Sequence, residues 1–280
     1  MMTNTYLPHV GGVARSVHTF AEDYRRFGHP MTVVAPTFPG VEELNPAIEK
    51  DVVRVPAVQR FNGSDFSVRL PIIGLLNPKL LQLETDIVHS HHPFLLGDTA
   101  VRFAADRQVP VVFTHHTLYE EYLHYVPFKG GAMRQFVIEL STHYANLSDG
   151  VIAPSESIAD LIRKRGVKKP ISVIPTGIDL AKFASGDGER FRRSERIEKE
   201  SFVIGTLGRM AEEKNLRYLC NAVAEALVAA PGTVFLAVGA GPLEGPMKRF
   251  FADRGLSERI RFPGKKTGQD LWDAYKAMDL

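Results

Sequence analysis

The chain has 280 residues, and its 34 lysines and arginines against 32 aspartates and glutamates give no electrostatic case for a nucleic-acid partner. A content of 44% hydrophobic and 24% charged residues is that of a globular protein and excludes a disordered or fibrous one. One cysteine, Cys220, excludes an internal disulfide and favours a reducing compartment.

The opening stretch MMTNTYLPH has neither the charged region nor the apolar core of a signal peptide. No apolar run reaches the 18 residues of a membrane-crossing helix, so a cytoplasmic location is expected. MMT is too short for the strand with which a βα unit begins, and the chain stops at AYKAMDL with no strand to follow; both ends predict a fragment. Short β-branched runs at 31–36, 51–56, 86–90, 109–116 and 150–155 fit strands buried on both faces, as in parallel sheets. Between them, Val13, Val17, Phe20, Ala21, Tyr24 and Phe27 keep helical spacing over 13–27, with Gly28 as the stop. Further helices are predicted over 131–147 and over 155–165, the latter capped by Ser155 and ended by Gly166.

The segment 173–201 turns charged and poor in apolar residues, which predicts a hinge near 175–183 and a boundary between domains 1–176 and 177–280. Alternation then resumes with strand 202–207, helix 214–229, strand 233–238, helix 243–254, strand 259–262 and helix 268–278. The class is α/β, in two doubly wound domains, the second with about three strands.

Ligands of such sheets sit beyond the carboxyl ends of the strands. There, Gly11 and Gly12 precede a helix and allow close backbone approach to an anion or sugar, or make a tight turn. His89, His91 and His92 leave one strand and His115 and His116 the next. Such a cluster suits sugar hydroxyls or proton transfer near neutral pH; metal binding is the weaker reading, with no companion cysteine or H-E-x-x-H. Asp187-Gly-Glu189 lies in the charged stretch and makes a poor metal clamp. In GTLGRMAEEKN, Arg209 and Lys214 flank a helix start after Gly208, with Glu213 placed to orient the lysine. Cations there oppose the helix dipole, so they point to an anion, and a guanidinium with an ammonium suits a diphosphate. There is no G-x-G-x-x-G and no Walker lysine, which argues against a nicotinamide oxidoreductase. Gly239 and Gly241, followed by Pro242, end another strand and border a nucleotide or form an ordinary turn. IRKRGVKK (162–169) holds five basic residues and no acid; with helix 131–147 it suits an anionic membrane surface, or is a solvated helix end.

Together LPHVGGVARSV, DIVHSHHPFLLG, VVFTHHTLYEEYLHYVP, VIAPSESIADLIRKRGV, VIPTGID, IGTLGRMAEEKN and LAVGAGPLEGPMKRF resemble the retaining glycosyltransferases of family 4, across practically the whole chain. The resemblance implies the GT-B fold, two Rossmann-like domains facing a cleft, the second incomplete. It implies a UDP- or GDP-sugar donor, no essential metal, and transfer of a hexose with retention of configuration. The stretch 112–126 is similar to members acting on diacylglycerol or other lipids, which implies a lipid acceptor, or else a small molecule, and a peripheral position at the inner membrane face. His116 is then expected to position the donor sugar, and Arg209 and Lys214 to stabilise the departing diphosphate. Gly11, Gly12, His92, Gly208, Glu213, Gly239, Gly241 and Pro242 are expected to line the substrates, and the 262–267 loop to lie near the nucleotide. Thr176 stands where many members have asparagine, and the family's E-x7-E segment would fall after residue 278, so the chain as given is expected to be impaired. A GT-B sugar-nucleotide epimerase and a non-catalytic nucleotide-binding module are the alternatives.

Overall fold

The computed structural model describes residues 1–9, 11–57, 80, 82–125 and 130–280. The chain divides into two compact units, Met1–Gly177 and Ile178–Leu280.

The first unit is a parallel sheet. Strands β1 (Val33–Pro36) and β2 (Val52–Val55) pair with each other, and β3 (Val88–Ser90), β4 (Val111–Thr114), β5 (Gly150–Ala153) and β6 (Ile171–Val173) follow in that order. Residues 1–3 join the two groups. Met2 bridges Val34 on one side and Ser90 on the other, both in parallel. Its N–H donates to His89 O at 2.8 Å and its carbonyl accepts from His91 N–H at 3.0 Å, while Thr3 N–H donates to Val34 O at 3.1 Å. The start, expected to be too short for a strand, therefore lies inside the sheet as a bridge between β1 and β3. Both neighbours bond to its backbone, and Met1 and Met2 enter the cores on opposite faces. The spatial order β2-β1-(1–3)-β3-β4-β5-β6 reverses direction between residues 1–3 and β3, the switch point at which open α/β sheets bind ligands.

Helix α1 (Gly12–Arg26) covers one face through Ala14, Val17 and Ala21. Tyr24 and Phe27, expected on its apolar face, are exposed; the helix ends at Arg26 and Gly28 turns the chain away at φ +85°. Across the sheet, α3 (Leu96–Arg107) packs Leu96, Ala100 and Phe103 against Met2, Val34 and Val88, the short α2 (Pro46–Glu49) lying in the β1–β2 connection. Helices α4 (Gly131–Leu147) and α5 (Glu156–Lys164) pack against β4 and β5, and Ser155 Oγ caps α5 by accepting from Ile158 N–H.

In the second unit β7 (Phe202–Leu207), β8 (Thr233–Val238) and β9 (Ile260–Gly264) pair in that order, all parallel. Alternation along the fully buried β8 sends Phe235 and Ala237 to one core and Val234, Leu236 and Val238 to the other. The charged stretch that follows the predicted boundary is folded into this unit. It forms α6 (Leu180–Ala184) and α7 (Gly188–Ser194), and Phe191 and Ile197 join Val234 and Leu236 in the second core. Helices α8 (Leu216–Ala229) and α9 (Glu244–Ala252) cover the first core, and α10 (Gly268–Lys276) lies beside α7. Gly186 and Gly188 bring the chain so near α10 that a Cβ on them would fall 2.2 Å from Trp272 O and 2.3 Å from Lys276 O. Asp187 caps α7 by accepting from Arg190 N–H at 2.8 Å, and Arg190 pairs with the buried Asp273. Polar capping and ion pairing, with two apolar anchors, hold this charged, apolar-poor segment.

Candidate functional site

At the switch point of the first unit the histidines separate into different tasks. His89 Nε2 lies 2.7 Å from Thr114 Oγ1, tying β3 to β4. His92, expected to touch substrate, is buried, and its Nδ1 accepts from Asn4 N–H at 3.1 Å. That ring holds the loop leaving residues 1–3. Asn4 completes the clamp, its amide donating to Phe94 O at 3.0 Å and its Oδ1 accepting from Leu96 N–H at 3.1 Å. Asn4 did not stand out in the sequence; its position directly after residues 1–3 was the only signal. His91 Nδ1 lies 2.8 Å from His116 Nε2, the two rings stacked with centroids 5.1 Å apart. His115 packs edge-on against Phe113 and Tyr119.

Loss of water around these rings lowers the pKa of all five below the ordinary 6.5. His89 and His92 fall to about 3 and His115 and His116 to about 4, desolvation being the largest cause in each; His91 falls well below the usual range for the same reason. At pH 7 the cluster is neutral, suited to hydrogen bonding with hydroxyls and unsuited to neutralising a phosphate. Gly11 precedes α1 in extended conformation, and a Cβ there would come within 3.0 Å of His9 Nε2, whereas one on Gly12 would meet nothing within 4 Å. Val10 between Pro8 and Gly11, and residue 126 at the end of the lipid-like stretch, lie outside the described residues.

In the second unit the loops leaving β7, β8 and β9 are laced together by backbone bonds. Gly208 N–H donates to Val238 O at 3.0 Å, Met210 N–H to Ala240 O at 2.9 Å and Gly239 N–H to Gly264 O at 3.0 Å. This crossing needs glycine. A Cβ on Gly239 (φ +146°) would sit 1.8 Å from Gly208 O, and one on Gly241 (φ +157°) 2.3 Å from Met210 O. Close approach of loop to loop thus accounts for these two residues, while the side of Gly208 is open, with nothing within 4 Å of its added Cβ. Pro242 is exposed on the turn into α9, and Gly264 places the start of the 262–267 loop against Gly239.

Arg209 and Lys214 stand on this rim, both exposed. Glu213, expected to orient the lysine, pairs with Arg209, the i,i+4 neighbour that the sequence already contained. Its side chain is 5% exposed against 40% for Arg209, so a carboxylate from below holds the guanidinium while leaving it open to solvent. The lysine, predicted to start the helix, instead ends a 3-10 turn, Glu212–Lys214, and α8 begins after it at Leu216. Among the described residues no group of three or more His, Cys, Asp or Glu side chains is placed to hold a metal ion.

A third feature lies on the first unit, a groove of about 800 Å³ between α4 and the turn after α5, lined by Arg134, Ile138, His143, Lys164, Arg165 and Lys168 among others. Arg165 is fixed there by the buried Glu120 at 2.5 Å. Beside the groove, Phe136, Leu140 and Leu147 form one exposed apolar stripe at helical spacing. No helix among the described residues is long and apolar enough to cross a membrane.

Comparison with known proteins places this geometry. The profile of Glycosyltransferase Family 4 matches residues 10–182, and that of Glycosyl transferases group 1 matches residues 201–280. The chain is 30% identical over its whole length to the alpha-monoglucosyldiacylglycerol synthase of Streptococcus pneumoniae (strain ATCC BAA-255 / R6), spanning 64% of that relative, so it covers less than two thirds of that protein. It is 25% identical, again over its whole length, to the synthase of the same name from Acholeplasma laidlawii, of which it spans 72%. Among solved structures, Anabaena Alr3699/HepE in complex with UDP and glucose superposes with a TM-score of 0.72 at 18% identity, over 99% of this chain and 71% of that one. WaaG, a glycosyltransferase involved in lipopolysaccharide biosynthesis, superposes at 0.64 and 14% identity, over 100% and 72%. One profile covering more than half of the residues, and a relative aligned along all of them, show that the chain belongs to glycosyltransferase family 4, with the paired Rossmann-like units of the GT-B fold.

Proposed function

We propose that the protein transfers a hexose from a nucleotide-diphospho-sugar to the hydroxyl of a lipid acceptor, with retention of anomeric configuration. The observation that carries this reading is the alignment of the whole chain with two alpha-monoglucosyldiacylglycerol synthases. The chemistry of the rims supports it. Transfer leaves negative charge on the departing diphosphate, and fixed cations offset that charge without an essential metal ion. Arg209, braced by Glu213, and Lys214 serve this role, and the open side of Gly208 lets backbone amides approach the phosphates. On the first unit, His116 meets the donor sugar as a neutral ring and Gly12 leaves room at the start of α1.

The basic groove and the apolar stripe of α4 fit a peripheral position on an anionic leaflet, cations meeting headgroups while Phe136 and Leu140 enter the interface. Relatives named as GDP-mannose-dependent alpha-mannosyltransferases, such as that of Mycobacterium tuberculosis (strain CDC 1551 / Oshkosh) at 25% identity, keep a second donor in play.

The test is a screen of purified protein with labelled UDP-glucose and GDP-mannose against diacylglycerol in vesicles with and without anionic phospholipid. The expected result is a glycolipid with α configuration and salt-sensitive sedimentation with the anionic vesicles. Free sugar or an epimer as the sole product contradicts transfer, and equal binding to neutral vesicles contradicts the role of the groove.

A further inference from the structure

His91 is the most enclosed of the histidines. Its ring is fully buried, stacked between His116 and Phe20, whose centroid is 6.3 Å away at 27°, with His89 at 4.1 Å. Its Nδ1 faces His116 Nε2 at 2.8 Å, and its Nε2 is sealed from solvent without a hydrogen-bond partner. Each neutral imidazole carries one N–H and one lone pair, so one ring donates across this contact and the other accepts. If His116 were the donor, His91 would bear its own proton on Nε2, leaving an N–H orphaned in the core. If His91 is the donor, only a lone pair is left there. Buried N–H groups without acceptors are the rarer and costlier defect, so the second arrangement prevails. His116 then accepts at Nε2, and its own proton resides on Nδ1. Among the described residues His116 Nδ1 has no hydrogen-bond partner, and it is not one of the polar atoms sealed from solvent.

We propose that His91 is a positioning residue: its Nδ1–H fixes His116 as the Nδ1–H tautomer, so that His116 offers the donor sugar a hydrogen bond to a hydroxyl oxygen and does not act as a base. The identity of the group that His116 meets rests on the transfer reading above; the tautomer does not.

The experiment is a two-bond proton–nitrogen correlation spectrum of protein labelled at the histidine ring nitrogens, with His116 assigned by its disappearance in His116→Phe. The expected spectrum shows Nδ1 protonated and Nε2 bare. A proton on His116 Nε2 overturns the proposal, whether or not the protein transfers sugar. Two variants test the consequence. His91→Phe keeps an aromatic ring against Phe20 but cannot donate, and is expected to let His116 sample both tautomers and to raise KM for the donor about tenfold, the loss of one hydrogen bond. His91→Asn presents an amide N–H near the place of Nδ1 and is expected to restore both the single tautomer and the wild-type KM. An asparagine variant no better than phenylalanine refutes the positioning role. Should the phenylalanine variant fail to fold, the wild-type spectrum and the asparagine variant still decide.

Discussion

Arg209 shows how one side chain can be bound to the protein and available to a ligand at once. Its partner Glu213 is nearly buried while the guanidinium remains 40% exposed, so the pair orients the cation at the rim. Arg209→Ala is therefore expected to reduce kcat by roughly a hundredfold, the usual loss when one fixed donor to a developing anion is removed. The substitution also takes a cation from beside Glu213. Measuring Arg209→Ala together with Glu213→Gln separates the two effects: a rate that stays low in the double variant assigns the loss to the leaving group, and recovery assigns it to Glu213. Gly239 carries a different expectation. Alanine there would place its Cβ 1.8 Å from Gly208 O, forcing apart the loops that carry Arg209, and is expected to cost about 2 kcal/mol or more of stability. Chemical denaturation checks this, and an unchanged midpoint would show that the loops part freely.

Most elements were legible because burial on both faces demands continuous β-branched runs. FVIGTL at 202–207 and TVFLAV at 233–238 are strands over those very residues. Several elements were not, α2, α3 and α6 among them; residues 1–3 and α7 show the physical reason. Residues 1–3 carry no length signal and join the sheet only because Val34 and Ser90 lie on either side, a fact of tertiary pairing. Helix α7 was hidden by its charge, since Phe191 is its one buried residue and its other support, Asp187 and the Arg190–Asp273 pair, looks like solvated surface when read along the chain. The candidate site residues follow the same division. Placing His116 and Arg209 at strand exits needed only the alternation of elements, whereas the partners that fix them, His91 and Glu213, depend on which strands and turns come together. Phe191→Ala is expected to destabilise the second unit by about 3 kcal/mol, the scale of a large core truncation. A melting temperature equal to wild type would show that Phe191 does not anchor this stretch.

At the scale of the whole molecule the two units are expected to respond differently to acid. All ten histidines fall in the first, none between Ile178 and Leu280. Four of them, His89, His91, His92 and His115, are buried and His116 is half-buried, and all five have folded-state pKa values below 6.5. The unfolded chain takes up protons there as pH drops below 6.5 while the folded unit does not, so acid favours unfolding. Each such ring removes about 1.4 kcal/mol per pH unit until its folded pKa is reached, about 4 for His115 and His116 and about 3 for His89 and His92. Steep loss of the first unit between pH 6.5 and 4 is expected, with stability restored above 6.5. Calorimetry across that range checks it, and a first unit insensitive to pH 5 would mean that the rings are hydrated and charged.

Trp272, whose carbonyl receives Gly186 at the junction of α7 and α10, is the sole tryptophan of the chain and lies in the unit that has no histidine. The molecule therefore contains its own optical label. Indole emission will follow one half, while far-ultraviolet dichroism sums both, so a single acid titration read in two channels resolves the halves without any engineered dye.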